Sequence, residues 1–220
     1  MIYTRAVLVV LGLGRCLIFP ADATARSQAI VGASSPDSLL EVRTAPTWES
    51  REYRFPSGGE RLRDWARNAF GPPAVAGSLT SAAWGQWVTD EPPEWLRDGK
   101  GYAKRFGVAS ATTAITETSF SLLSAAMRQD NRYYRCSCTG IRPRLTHSLR
   151  MTFMARKPDG SAEFSVAKTV SPFVGPLATR TTLYPDRYDY RDGLLSGAYA
   201  VLMNAGWNLA HEFVLKAPRW

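Results

Sequence analysis

Apolar positions begin to recur with helical spacing shortly after Ser57. Leu62, Trp65, Ala66, Ala69 and Phe70 fall on one face of a helix, while Arg61, Arg63, Asp64 and Arg67 take the rest. Ser57-Gly58-Gly59-Glu60 has the form of a capping box, so the helix is expected to start there. Gly71-Pro72-Pro73 ends or kinks it, because proline lacks the amide hydrogen and clashes with the preceding turn. From Asn68 to Thr89 there is no charge, and Gly77, Ser81 and Gly85 recur every four residues. Small residues at that interval let two helix backbones approach closely, which makes these three the expected packing positions. Asp90 to Trp95, with two prolines and three carboxylates, reads as a loop.

A second helical pattern opens near Gly101. Ile115, Ser119, Leu122 and Ala126 make one stripe, and Phe120, Leu123 and Met127 make another. Two apolar stripes imply burial on most sides. Glu117 is the sole charge between Arg105 and Arg128. Asp130 to Gly140 follows as a loop rich in Arg, Tyr and Cys. Residues 143–157 satisfy two patterns. Leu145, Leu149 and Phe153 suit a helix, whereas Leu149, Met151, Phe153 and Ala155 alternate as in a strand. The helix is preferred. A hairpin near 145–167, turning at Pro158-Asp159-Gly160-Ser161, is the alternative. Pro172, Pro176 and Pro185 punctuate the next stretch. A last helix runs from about Asp189 to Lys216, with Leu194, Ala198, Leu202, Leu209 and Phe213 on its apolar side. Gly193 and Gly197 are its packing glycines, and no charge lies between Gly193 and Ala210.

These elements predict a mostly α fold: a single domain of four to five helices rich in small residues, spanning 57–220. The alternative is α+β, with the hairpin near 145–167. Residues 26–56 mix Ser, Pro, Thr and charges without periodicity and read as a flexible N-terminal arm. Residues 1–25 read as a signal peptide. Arg5 precedes the apolar run Ala6 to Leu13, Pro20 breaks the helix, and Ala23-Thr24-Ala25 offers a small-x-small cleavage pattern. Arg15 interrupts the apolar run, so an uncleaved anchor is the competing reading. Cys16 follows an arginine, which a lipoprotein signal does not allow. Export to the periplasm or cell envelope is the expectation.

Charge narrows the partners. Lys and Arg total 27 against 19 Asp and Glu, a net +8. Losing Arg5, Arg15 and Asp22 with the leader leaves the chain basic. Such a surface suits an anionic membrane or an acidic envelope polymer, and export argues against nucleic acid. Nothing in the pattern signals an oligomeric state. Beyond the leader only Cys136 and Cys138 are present, and the histidines are His147 and His211. Their spacing matches no zinc pattern, so no metal is expected, and no cofactor motif occurs. The cysteine pair could be a bridge, two thiols or part of a metal site.

Candidate chemistry is sparse. His211-Glu212 begins like a zinc-protease helix but the second histidine is missing. There is no Gly-x-Ser-x-Gly elbow and no phosphate-cradling glycine loop. Asp90, Glu91 and Glu94 beside Trp95 could serve glycoside hydrolysis as acid and base, and His147 could serve as a base; a solvated loop explains the carboxylates equally. Arg132, Tyr133, Tyr134 and Arg135 could bind anions or sit at a membrane interface, or lock a loop through Arg–Asp and cation–π contacts. Arg61, Arg63 and Arg67 beside Trp65 and Phe70 have the make-up of an interfacial helix, though the same face could dock on the core.

In combination, several of these segments resemble a family of exported bacterial proteins without an established activity, rich in small-residue helices. The resemblance rests on Gly99-x-Gly101-Tyr102-x-Lys104-Arg105-Phe106-Gly107, Asp130-x-Arg132-Tyr133-Tyr134-Arg135, Tyr184-Pro185-Asp186 and Glu212-Phe213. It covers roughly residues 60–215 and transfers no functional residue. Cys136 and Cys138 lie outside its pattern. The expected function is a non-enzymatic envelope protein whose helices pack on each other or on a membrane. A periplasmic hydrolase acting on envelope polymers is the alternative.

Overall fold

The computed structural model describes residues 53–215. The signal-peptide reading of 1–25 and nearly all of the arm at 26–56 fall outside the described residues. Within them the chain is mostly helical, as its periodicity predicts.

Helix α1 (Gly58–Phe70) starts at the expected capping box. Ser57 Oγ accepts from the Glu60 amide at 3.3 Å, and Glu60 Oε2 accepts from the Ser57 amide at 2.8 Å. Helix α2 (Pro72–Trp84) carries its two prolines in the first turn, where their missing amide hydrogens have no intrahelical partner to lose. A π-helical turn, Gly85–Thr89, extends it. Its buried residues are Ala74, Ser78 and Ala82. The close-packing stripe is therefore displaced from the one expected. A Cβ on Gly77 would meet nothing within 4 Å and Ser81 is exposed, whereas one on Gly85 would lie 3.0 Å from Glu91 O and 3.3 Å from Arg105 Cδ, so of the three only Gly85 sits at a close approach. Both stripes hold small residues at four-residue spacing, so composition leaves the phase open; the face turned to the neighbouring helices is the Ala74 face.

Helix α3 (Gly99–Ala126) is capped by Asp98, which accepts from the Gly101 amide at 2.7 Å. It packs on α1 and α2, and on the helix after the hairpin. The ambiguous 143–157 stretch is both things in turn. Helix α4 (Ile141–Arg150) ends, and strand β1 (Met154–Arg156) pairs antiparallel with β2 (Ala162–Phe164), Ala155 opposite Glu163. Gly160, at φ 80°, supplies the left-handed residue of the turn.

Helix α5 (Val166–Thr182) corrects the reading of the prolines as punctuation, because Pro172 and Pro176 lie inside it, buried. Each removes one backbone hydrogen bond. Hydroxyls add side-chain bonds to the carbonyls on either side: Thr169 Oγ1 to Ser165 O at 2.9 Å, and Thr179 Oγ1 to Gly175 O at 3.0 Å. Packing on two sides holds the helix together. Toward α3, a Cβ on Gly175 would lie 2.1 Å from Thr116 Oγ1. Toward α6 (Tyr190–Phe213), a Cβ on Gly193 would lie 2.9 Å from Leu177 Cα, and one on Gly197 2.3 Å from Phe173 Cδ1. Those two glycines sit where backbones touch.

The interior is small and polar. Ser78, Gln86, Ser148, Thr152, Ser171 and Thr179 are buried, and so are Arg105 and Glu212. Large apolar side chains stand outside: Val75, Leu79, Trp87 and Val88 beyond α2, and Leu194, Leu195, Tyr199, Leu202 and Met203 on α6. No described helix is long and apolar enough to cross a membrane.

Candidate functional site

At one end of the bundle the loop between α2 and α3 is organised by Arg105. Its side chain is 3 % exposed. It donates to Glu91 O at 3.0 Å, Gln86 Oε1 at 2.6 Å, Pro92 O at 2.7 Å and Leu96 O at 3.3 Å. Gly101, one turn earlier, leaves room for this loop; a Cβ there would lie 1.8 Å from Leu96 O. Two of the loop's carboxylates are engaged by arginines. Asp90 pairs with Arg97 at 2.9 Å and lies 3.8 Å from Arg105, while Glu94 pairs with Arg187 at 3.1 Å. Glu91 contributes its backbone carbonyl to Arg105. Trp95 is buried and stacks on Tyr184, their centroids 5.1 Å apart, with Arg180 over Tyr184 at 3.9 Å.

At the opposite end the Arg–Tyr segment divides between two buried carboxylates. Asp130 accepts from Tyr53 at 3.3 Å and from Tyr134, while its backbone pairs with that of Arg156 at 2.8 and 2.9 Å. The Arg156 guanidinium lies over Tyr134 at 4.9 Å and over Tyr53 at 5.7 Å. Arg132 bonds Asp64 of α1 at 2.7 Å. Tyr133 turns the other way and donates to Glu212 Oε2 at 2.7 Å. Burial and then the neighbouring carboxylates push all three tyrosine hydroxyls well above the ordinary phenol range. Arg135 lies close enough to Tyr133 for its charge to oppose that rise.

Glu212 is fully buried and receives Arg144 Nε at 2.7 Å, Tyr133 Oη at 2.7 Å and the Cys136 amide at 3.1 Å. Burial alone would raise its carboxyl; the donors from Arg144, Tyr133 and Cys136 outweigh it and hold the group below the usual carboxylate range. Cys136 and Cys138 form a disulfide beside it. His147 Nε2 pairs with the Tyr134 carbonyl at 2.8 Å, tying α4 to this loop. Arg105, Asp130, Tyr133, Tyr134 and Glu212 thus hold loops to helices, and Gly101 leaves room for one of those loops.

Beside the 130s loop lie two adjoining cavities. The larger, about 340 Å³, is lined by Arg61, Asp64, Trp65 and Arg132 among others. The structure brings these together from α1 and the 130s loop. Arg63, Arg67 and Phe70 are exposed outside it, Phe70 edge-on to Trp65 at 5.6 Å. The smaller, about 230 Å³, is lined by Lys168, Ser171, Asn204, Trp207 and Asn208. Glu117, Asn68, Phe120 and Asn131 belong to both. Sequence reasoning missed Lys168, although it is the sole charge between Glu163 and Arg180. No group of three or more potential metal ligands exists among the described residues.

The described residues thus form a small-residue helical bundle with polar, ion-paired ends and two adjoining cavities beside the 130s loop. No protein-family model, curated protein or solved structure matches it.

Proposed function

We propose that this chain is an exported, non-enzymatic envelope protein whose outer helix faces rest against a lipid bilayer. The carrying observation is the distribution of side chains: serine, threonine, glycine and alanine prevail inside, while most leucines, Val75, Val88, Val170 and Trp87 stand outside. Burial of apolar surface ordinarily drives folding in water, and contiguous exposed patches mark interaction surfaces. On α6 the exposed face holds Leu194, Leu195, Tyr199, Leu202 and Met203. It lies within an uncharged run, Gly193–Ala210, that extends about 25 Å at 1.5 Å per residue. Charge is missing all round this run. A soluble helix keeps charge on its outer face, whereas a lipid-facing one does not. Tyr190 and Arg191 stand at its start, side chains at home in a headgroup layer. The net positive charge suits anionic lipid, and the signal-peptide pattern and family resemblance agree with an envelope setting. The ion pairs of Asp90 and Glu94 with Arg97 and Arg187 favour this reading over hydrolysis.

The test is vesicle flotation of the mature chain from Arg26, compared with Leu194→Gln plus Leu202→Gln. Both leucines are exposed, so the variant should fold. Wild type is expected to float with anionic vesicles and the variant to remain in solution. Wild type that stays soluble and monodisperse with and without vesicles would overturn the reading.

A further inference from the structure

The smaller cavity contains two hydrogen-bond donors that the protein does not use up. Lys168 Nζ donates to Met151 O at 2.8 Å and Met154 O at 2.7 Å. An ammonium has three hydrogens, so one remains. Ser171, one turn further along α5, is 0 % exposed, and its Oγ has no hydrogen-bond partner. A buried hydroxyl without a partner costs on the order of 1–3 kcal/mol. Lys168 and Ser171 share a helix face, being three residues apart, and line the same cavity. Among the described residues no carboxylate is ion-paired to Lys168; the field of Asp130 is the anionic influence acting on it.

The remaining wall sets the class of ligand. Asn204 and Asn208 of α6 bring amides, which donate and accept, as hydroxyl groups require. Asn208 Nδ2 is used on Thr152 at 3.1 Å, which orients that amide. Trp207 adds an apolar plane, and sugar rings present C–H faces to such planes. Glu117 also lines the cavity. Lys168 is the one cation of this lining, so it can neutralise a single negative charge, and Glu117 repels a phosphate dianion twice as strongly as a monoanion. We propose that this cavity binds a small hydroxylated monocarboxylate of the uronic-acid type, its carboxylate on Lys168 Nζ and Ser171 Oγ and its hydroxyls on the asparagine amides. The adjoining cavity, which contains Trp65, gives room for a second sugar unit.

The experiment is titration of the purified mature protein with glucuronate, followed by tryptophan fluorescence and by thermal midpoint. Glucose and glucose 6-phosphate serve as the neutral and dianionic comparisons. Saturable glucuronate binding with a raised midpoint is expected, at least tenfold tighter than either comparison. Lys168→Met keeps the stem and removes the charge, and should weaken binding tenfold or more. Ser171→Ala guards against a misfolded lysine variant. Without ligand its midpoint should equal or exceed that of wild type, because the hydroxyl it removes has no partner; with glucuronate its midpoint gain should shrink. No saturable glucuronate binding, equal binding of glucose, tighter binding of glucose 6-phosphate, or an undiminished gain in Ser171→Ala would each overturn the proposal. These results are independent of whether the outer faces contact lipid.

Discussion

Tyr133 donates its hydroxyl hydrogen to Glu212 at 2.7 Å, joining positions 79 residues apart. The bond ties the loop after α3 to the C-terminal turn of α6, and Arg144 of α4 closes the cluster from the third side at 2.7 Å. A fully buried carboxylate is tolerated only while such donors surround it.

Removing either partner should therefore be felt unequally. Tyr133→Phe deletes one charge-assisted bond and should cost about 1.5–3 kcal/mol. Arg144→Met leaves the buried carboxylate without its ion pair and should cost about 3–5 kcal/mol. Urea midpoints would check the order, and a double variant should lose less than the sum, because the residues share one partner. The depressed carboxyl makes Glu212 stabilising above the ordinary carboxylate pKa. That contribution should fall away as pH drops through the folded value, and Glu212→Gln should not show it.

Arg105 is the second hub. Lysine at this position has one ammonium where four acceptors are spread over Gln86, Glu91, Pro92 and Leu96. Arg105→Lys should lower stability by about 3 kcal/mol through unpaired buried carbonyls. For a chain of this size each kcal/mol shifts the midpoint by about 2–4 °C. The freed loop should also gain a tryptic cut after Arg97, visible by mass spectrometry.

Two glycine-to-alanine changes should have opposite signs. Gly101→Ala places a methyl 1.8 Å from Leu96 O, so the loop must move and the fold should be strongly destabilised. Gly77→Ala meets nothing within 4 Å in the middle of α2 and should stabilise by about 0.5–1 kcal/mol, the helix preference of alanine over glycine. Thermal midpoints of the two variants would settle it.

Burial of the Lys168 ammonium pushes its pKa down to about 8, with Asp130 acting weakly in the other direction. The unfolded chain then holds that proton more tightly than the folded one, so stability from this group should rise as pH climbs from about 8 toward 10. The rise is at most about 1.4 kcal/mol per pH unit for one group. Wild type compared with Lys168→Met in urea melts between pH 7 and 9.5 should show the rise in wild type alone. Above pH 10 the trend should reverse, as Tyr53, Tyr133 and Tyr134 hold protons in the folded state that the unfolded chain releases.

Much of this fold is legible from local pattern. The Ser57 capping box, the turn at Gly160 and the long helices α3 and α6 follow from residue spacing alone, because helix caps, turns and 3.6-residue periodicity are short-range properties. Four things are not local. The phase of the small-residue stripe on α2 depends on which face meets its neighbours, and Ala74-Ser78-Ala82 fits the spacing as well as Gly77-Ser81-Gly85. The helicity of α5 through Pro172 and Pro176 depends on packing from α3 and α6, which holds together a segment whose own hydrogen bonds are interrupted. The roles of Arg105, Asp130 and Glu212 depend on acceptors and donors tens of residues away. The cavity around Lys168 and Ser171 takes its walls from four helices and two loops, so only the assembled structure shows that a lysine and an ordinary serine end beside each other with donors to spare.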